Sequence, residues 1–227
     1  MSRRYRYLIR NPSGAEYEAT TLADARRCQG IGGVIYDRNP KKAPTEVAAL
    51  YVDVERGPYA GMAGVDAWGV ERDAMTYAGP HPVVAHPPCG AWGNYAHKSH
   101  DSGVTGPVAV KQVRQFGGVL EHPKNSKLWR HCGMPRPGEA PDKWGGYSIE
   151  VFQRDWGHKA LKTTWLYIVG TDDLPAFPRP SQSPGRVYRK PSGRLSYPLE
   201  RMSKRARHLT PPRFAEWLVE VARRSAV

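Results

Sequence analysis

Pro82-Val83-Val84-Ala85-His86-Pro87-Pro88-Cys89-Gly90-Ala91-Trp92-Gly93 is the stretch from which the fold is read. Val83 to Ala85 is short, apolar and β-branched, which predicts a buried strand. Pro87 and Pro88 end it, because proline donates no ladder hydrogen bond and fixes φ. Cys89 then falls just past the carboxyl end of a strand. In open α/β sheets that edge gathers ligands and reacting groups. Gly90 and Gly93 allow close approach to the backbone. A cysteine on such a loop is a candidate nucleophile. The competing reading is a small buried residue, as free cysteine often is.

A second strand end carries a matching signal. Val119-Leu120 delivers Glu121-His122, so a carboxylate is expected on the same sheet edge as Cys89. Alone, Glu121 would read as a cap or an ion-pair partner. Two successive strand ends bearing Cys and Glu favour a reactive site. Between them lies a polar loop with His97 that could cover the site, then a helix expected over 107–116.

Upstream, residues 1–44 read as a small βαβ-like unit and linker. Strands are expected at 5–9, 17–19 and 34–36, with a helix from Leu22 capped by Thr21. The main domain is expected over 45–227. Residues 49–54 read as a strand ending near Asp53, and 64–77 as a helix carrying Trp68, Glu71 and Asp73. Acidic groups beyond strand ends hold ribose hydroxyls. Asp53, Trp68, Glu71 and Asp73 are therefore candidate cofactor residues, equally readable as surface charge around a core tryptophan. Gly30 to Gly33 follows a helix and precedes a strand, the reverse of a phosphate loop.

Downstream, 130–147 reads as an irregular loop and 149–153 as a strand. A turn at 155–158 and a strand at 165–169 complete a hairpin, with Lys162 on its approach. Residues 179–208 form a basic arm. It contains Arg186, Arg189, Lys190, Arg194, Lys204, Arg205 and Arg207, with Glu200 as its one acid and Tyr188 and Tyr197 interleaved. Such a segment suits a phosphate backbone with stacking aromatics. A helix over 211–224, capped by Thr210, presents Phe214, Trp217, Leu218 and Val221 on one face.

Bulk properties agree. The 227 residues suffice for one core plus an appendage, and 40% are hydrophobic. The formal charge of +13 points to a polyanion, most simply nucleic acid. No apolar run approaches the roughly 20 residues of a membrane span, and no signal peptide is visible. Three cysteines make no disulfide framework, so a cytoplasmic setting is expected. The Cys and His spacings match no standard zinc pattern, which leaves a metal enzyme using His86, Cys89, His97, His100 and His122 the weakest option.

These residues resemble the DNA cytosine-5 methyltransferase family. Pro87-Pro88-Cys89 looks like its Pro-Cys motif, and Leu120-Glu121-His122-Pro123-Lys124-Asn125 like its Glu-Asn-Val motif. The stretches 155–169 and His208-Leu209-Thr210-Pro211 are similar to two later motifs, in the family's order over roughly 49–220. His122 and Pro123 replace the family's Asn-Val, and Lys162 and Thr164 stand near its arginines. The resemblance implies an open Rossmann-like, methyltransferase-type α/β sheet with a small amino-terminal α+β unit and a basic arm. It implies S-adenosylmethionine as cofactor and DNA as partner. Cys89 would add to C6 of a flipped cytosine, Glu121 would meet N3, and Lys162 would hold phosphate or base edge. His97 and the arm's arginines and lysines would grip DNA. Another one-carbon donor, a free nucleotide substrate, or a catalytically inactive DNA-binding module are the alternatives.

Overall fold

The structure, a computed structural model, describes residues 7–29, 33–37, 46–93, 96–99, 101–159, 161–180, 188–189, 195–196 and 209–225. The amino-terminal unit consists of β1 (Tyr7–Arg10), β2 (Glu16–Ala19), α1 (Leu22–Gln29) and β3 (Val34–Asp37). Its strands are antiparallel in the order β2-β1-β3. Tyr7 and Ile9 alternate inward and meet Ala19, Ala25 and Ile35. Thr21 Oγ1 accepts from the Asp24 N–H at 3.1 Å, so the expected cap is present. The unit joins the rest of the molecule through Ala63 N–H to Ile35 C=O at 2.9 Å. Tyr36 hydroxyl also bonds Glu216.

The main sheet contains β4 (Val47–Leu50), β5 (Val65–Trp68) and β6 (Val83–Ala85), then α2 (Thr105–Phe116) and β7 (Gly118–Pro123). After α3 (Leu128–His131) come β8 (Tyr147–Phe152) and β9 (Thr163–Val169). The strand order is β5-β4-β6-β7-β9-β8. β5, β4, β6 and β7 are parallel, while β9 runs against both β7 and β8. The chain leaves β4 for β5, then crosses back to β6 on the other side. That reversal opens a crevice at the carboxyl ends of β4 and β6.

Both sheet faces are covered, which explains the near-continuous apolar strands. Val47, Ala49, Val84, Val119, Leu166 and Ile168 pack on one side against Phe214 and Leu218 of α4 (Pro212–Arg224). Ala48, Leu50, Val83, Ala85, Leu120 and Tyr167 pack on the other against Ala109, Val110 and Val113 of α2. β6 and β7 approach closely at Gly118, whose φ is +112° and whose Cβ would fall 2.0 Å from the Val83 carbonyl oxygen. Only glycine fits there.

Three expectations are corrected. Residues 64–77 are not a helix: Val65–Trp68 is the edge strand β5, followed by a turn and one 3₁₀ turn, Ala74–Thr76. Pairing with β4 overrides local propensity there. The strand expected at 49–54 is Val47–Leu50, because Tyr51 turns to φ +62° and ends it. The stretch 130–147 is irregular, as expected, between the end of the short α3 and the start of β8. The residue before α4 is Pro211, and among the described residues no side chain caps that helix, so Thr210 is not its cap. Within the basic arm, β10 (Tyr188–Arg189) and β11 (Leu195–Ser196) pair antiparallel. Among the described residues, no helix is long and apolar enough to cross a membrane.

Candidate active site

Strand register builds the site. Leu50 pairs with Trp68 and Ala85, Ala85 with Leu120, and Leu120 with Tyr167. The residues that follow on β4, β6 and β7 are Tyr51, His86 and Glu121, and they reach one edge together. The reversed β9 brings Thr164 opposite Pro123 at that edge. The loop that joins β8 to β9 therefore also arrives there, with Gln153 and Lys162.

Glu121 is the centre of this edge. Its Oε1 accepts from Gln153 Nε2 at 2.9 Å and from Thr164 Oγ1 at 2.9 Å. Its Oε2 lies 3.1 Å from His86 Nδ1. His86 Nε2 lies 2.6 Å from the hydroxyl of Tyr59, which is fully buried. Burial alone would raise the Glu121 carboxyl. The hydrogen bond and electrostatic pull of His86, then Lys162 and His122, outweigh it and hold the carboxyl at about 2. Glu121 is thus an anion anchored by three donors.

Cys89 is exposed and precedes the 3₁₀ turn Gly90–Trp92, whose Trp92 N–H bonds the Cys89 carbonyl at 3.1 Å. A Cβ on Gly90 would lie 2.3 Å from Ser99 Oγ, so glycine lets the following segment close over this turn. Burial and the Glu121 charge push the thiol up, while Lys162 pulls it down. Lys162 is itself lowered by burial and raised by Glu121 and Cys89. The three groups therefore sense one another. Lys162 has φ +40°, rare for a side chain-bearing residue, and its Nζ donates to the Leu209 carbonyl at 3.2 Å.

The other predicted residues are placed less simply. Asp53 Oδ1 accepts from the N–H groups of Glu55 and Arg56 and closes a turn. Trp68 donates Nε1–H to Asp66 at 2.8 Å, and the Arg72 guanidinium stacks 3.8 Å from its ring centroid. Asp73 caps the Ala74–Thr76 turn through Met75 N–H. Glu71 is exposed and folds back over Gly69: a Cβ there would lie 2.8 Å from both Glu71 Oε2 and the Val52 carbonyl. His97 is exposed in the segment after the Cys89 turn. Of the arm residues, Arg189 is described only in its backbone. Arg186, Lys190, Arg194, Lys204, Arg205 and Arg207 lie outside the described residues, as does His100.

Tyr59, Gln153 and Thr164 were not read as site members, and His86 was read only as a candidate metal ligand. His86 had a readable signal, because a polar residue ends the same buried run that leads to Cys89. Tyr59 had none: its partner is 27 positions away. His122 lies on the α2 face of the sheet beside Trp129, and burial lowers it to about 4. Among the described residues, no group of three or more His, Cys, Asp or Glu converges as a metal site.

Comparison with protein-family models, with curated proteins and with solved structures finds no match to this chain.

Proposed function

We propose that this protein modifies carbon 5 of a pyrimidine, most simply cytosine in DNA, by S-adenosylmethionine-dependent methylation. The observation that carries the reading is the convergence of Cys89, Glu121 and Lys162 from three separate segments onto one carboxyl edge. The sheet, mostly parallel with one reversed strand, is compatible with the Rossmann-like architecture the reading requires.

The chemistry follows from the three groups. A flipped base enters with C6 facing Cys89. The Cys89 proton leaves to solvent, the sulfur forms a bond to C6, and the displaced π electrons make C5 nucleophilic. A solvent proton taken up at N3 neutralises the ring, and Glu121 accepts the hydrogen bonds that N3–H and the N4 amino group then donate. Lys162 favours the thiolate and neutralises developing negative charge. After substitution at C5, loss of the C5 proton drives the electron pair back and breaks the C6–S bond, restoring Cys89. S-adenosylmethionine, when bound, supplies the electrophilic methyl group.

Of the candidate residues at the ends of β4 and β5, exposed Glu71 supports a ribose site there. Glu71, held over Gly69 between the two strands, is placed to accept from ribose hydroxyls. Asp53 and Asp73 are engaged in turns, and one face of Trp68 is covered by Arg72. Those engagements favour, as a second reading, the same Cys89–Glu121 chemistry with another one-carbon donor. The polyanion partner is supported by the charge of +13 and by Lys127, Arg130, Arg154 and Lys159 on the segments that follow β7 and β8.

The test is covalent trapping. A random-sequence duplex pool containing 5-fluorocytosine, incubated with the protein and S-adenosylmethionine, is expected to give a denaturant-resistant adduct. The Cys89→Ser variant should give none while still binding the pool. Absence of adduct with the unmodified protein overturns the reading. Calorimetric titration with S-adenosylmethionine, weakened by Glu71→Ala, separates the two donors.

A further inference from the structure

Behind Glu121 stands a second layer whose atoms are arranged in one direction. Tyr59 comes from the β4–β5 loop, His86 from the end of β6, and Glu121 from β7. Tyr59 is completely buried, and burial followed by the Glu121 charge keeps its hydroxyl protonated far above neutral pH. The hydroxyl therefore holds a proton to give, and His86 Nε2 stands 2.6 Å away. A ring nitrogen that accepts leaves the imidazole proton on the other nitrogen. That nitrogen, Nδ1, faces Glu121 Oε2, an ionised oxygen able only to accept. The His86 backbone is fixed as well, because its N–H donates to the Leu50 carbonyl at 3.1 Å.

The consequence concerns which oxygen of Glu121 is left for a base. Oε1 already accepts from both Gln153 and Thr164. Among the described residues, Oε2 accepts from His86 alone. The carboxyl side chain is only 11% exposed, so few orientations are open to it. We infer that His86 is the positioning residue of this site, its proton held on Nδ1 by Tyr59 so that Oε2 of Glu121 presents one fixed lone pair to the substrate. The inference rests on the reading of Glu121 as the group that meets the base. It is separate from the role of Glu121 itself, because His86 touches no reacting atom. The charged and titratable groups around the pair are Tyr59 from the β4–β5 loop, Lys162 from the β8–β9 loop, Cys89 after β6 and His122 on β7. Among the described residues, Tyr59 is the group that faces Nε2.

Two measurements test this. Long-range ¹H–¹⁵N NMR of the imidazoles at neutral pH reads the tautomer directly. The expected signature is a His86 ring protonated at Nδ1 alone, which Tyr59→Phe shifts towards Nε2. A wild-type ring protonated at Nε2, or on both nitrogens, overturns the inference. The second measurement is the rate of adduct formation with the 5-fluorocytosine pool against the affinity for that pool. His86→Ala should slow the rate roughly tenfold or more, equivalent to about 1.4 kcal/mol, with affinity little changed. His86→Asn, whose amide nitrogen stands where Nδ1 stood, should recover most of the rate. Equal rates in wild type and His86→Ala overturn the inference. If His86→Ala does not fold, Tyr59→Phe carries the same test with one oxygen removed. A wild-type protein that shows the Nδ1 tautomer yet forms no adduct would sink the proposed chemistry and leave the Tyr59–His86–Glu121 arrangement standing.

Discussion

Lys162 spans the carboxyl edge of the sheet to donate from Nζ to the Leu209 backbone carbonyl at 3.2 Å. This ties the β8–β9 loop to the segment that enters α4, residues 47 positions apart. The Lys162 backbone sits at φ +40°, a conformation that side chain-bearing residues leave unless their surroundings hold them. Its ammonium is half withdrawn from water and lies within electrostatic reach of both Cys89 and Glu121. The strained turn thus keeps a cation beside the candidate nucleophile.

Removing that cation should make Cys89 less reactive. Lys162→Met keeps the side-chain length and deletes the charge that lowers the thiol. At a fixed pH slightly above neutral, alkylation of Cys89 by iodoacetamide is expected to slow several-fold, because the thiolate fraction falls. The Lys162→Arg variant should retain most of the wild-type rate. A Lys162→Met protein that alkylates at the wild-type rate would show that the cation does not act on the thiol.

Stability should fall in two stages on acidification. Burial lowers His122 from 6.5 to about 4, so the unfolded chain binds its proton first and stability declines as pH drops from 6.5 towards 4. Glu121 is depressed from 4.5 to about 2; its contribution is complete above 4.5 and is lost as pH falls towards 2. Each shift corresponds to about 3 kcal/mol. Urea unfolding at a series of pH values should show both declines. His122→Leu should flatten the upper one, and Glu121→Gln the lower one.

On the α2 face of the sheet, Arg114 and Asp142 form a pair whose side chains are 10% and 11% exposed. Asp142 also accepts from the Tyr167 hydroxyl at 2.7 Å and from the N–H groups of Trp144 and Gly146. Asp142→Ala would leave a buried guanidinium without its counter-charge, a loss of about 3–5 kcal/mol. Urea unfolding measures it. If the proposed Cys89 adduct forms, the folded variant should form it at the wild-type rate, because this clamp ties the 133–146 loop to α2 and β9 and does not touch Cys89 or Glu121.

Gly118→Ala should be among the most damaging single substitutions. The new methyl would meet the Val83 carbonyl oxygen at 2.0 Å and force a φ of +112° on alanine. β6 and β7 would have to separate, which removes the alignment of His86 with Glu121. A loss of about 3 kcal/mol or more is expected in chemical denaturation. A near-neutral effect would show that this strand pairing is looser than described.

Much of this molecule was legible from local sequence. The run Val83 to Ala85 ended by Pro87-Pro88 located β6 and placed Cys89 past its end, because apolar β-branched residues and prolines act locally. Val119-Leu120 did the same for β7 and Glu121. The one-faced apolar pattern of Phe214, Trp217, Leu218 and Val221 marked α4 as a docking helix. The helix read into 64–77 failed because the four residues of β5 are held by pairing with β4, a contact that local periodicity does not encode.

What the sequence determined by itself, then, is the type of the longer elements and the two strand ends that bear Cys89 and Glu121, since both follow from short-range periodicity and proline chemistry. Tertiary structure decided the rest. The order β5-β4-β6-β7-β9-β8, with β9 reversed, brings Thr164 and Gln153 to a carboxylate 43 and 32 positions away. It also sets His86 between Tyr59 and Glu121. Register across parallel strands is fixed by the packing of both faces, not by any one segment. A hydrogen-bonded site drawn from five segments therefore exists only once the sheet has closed.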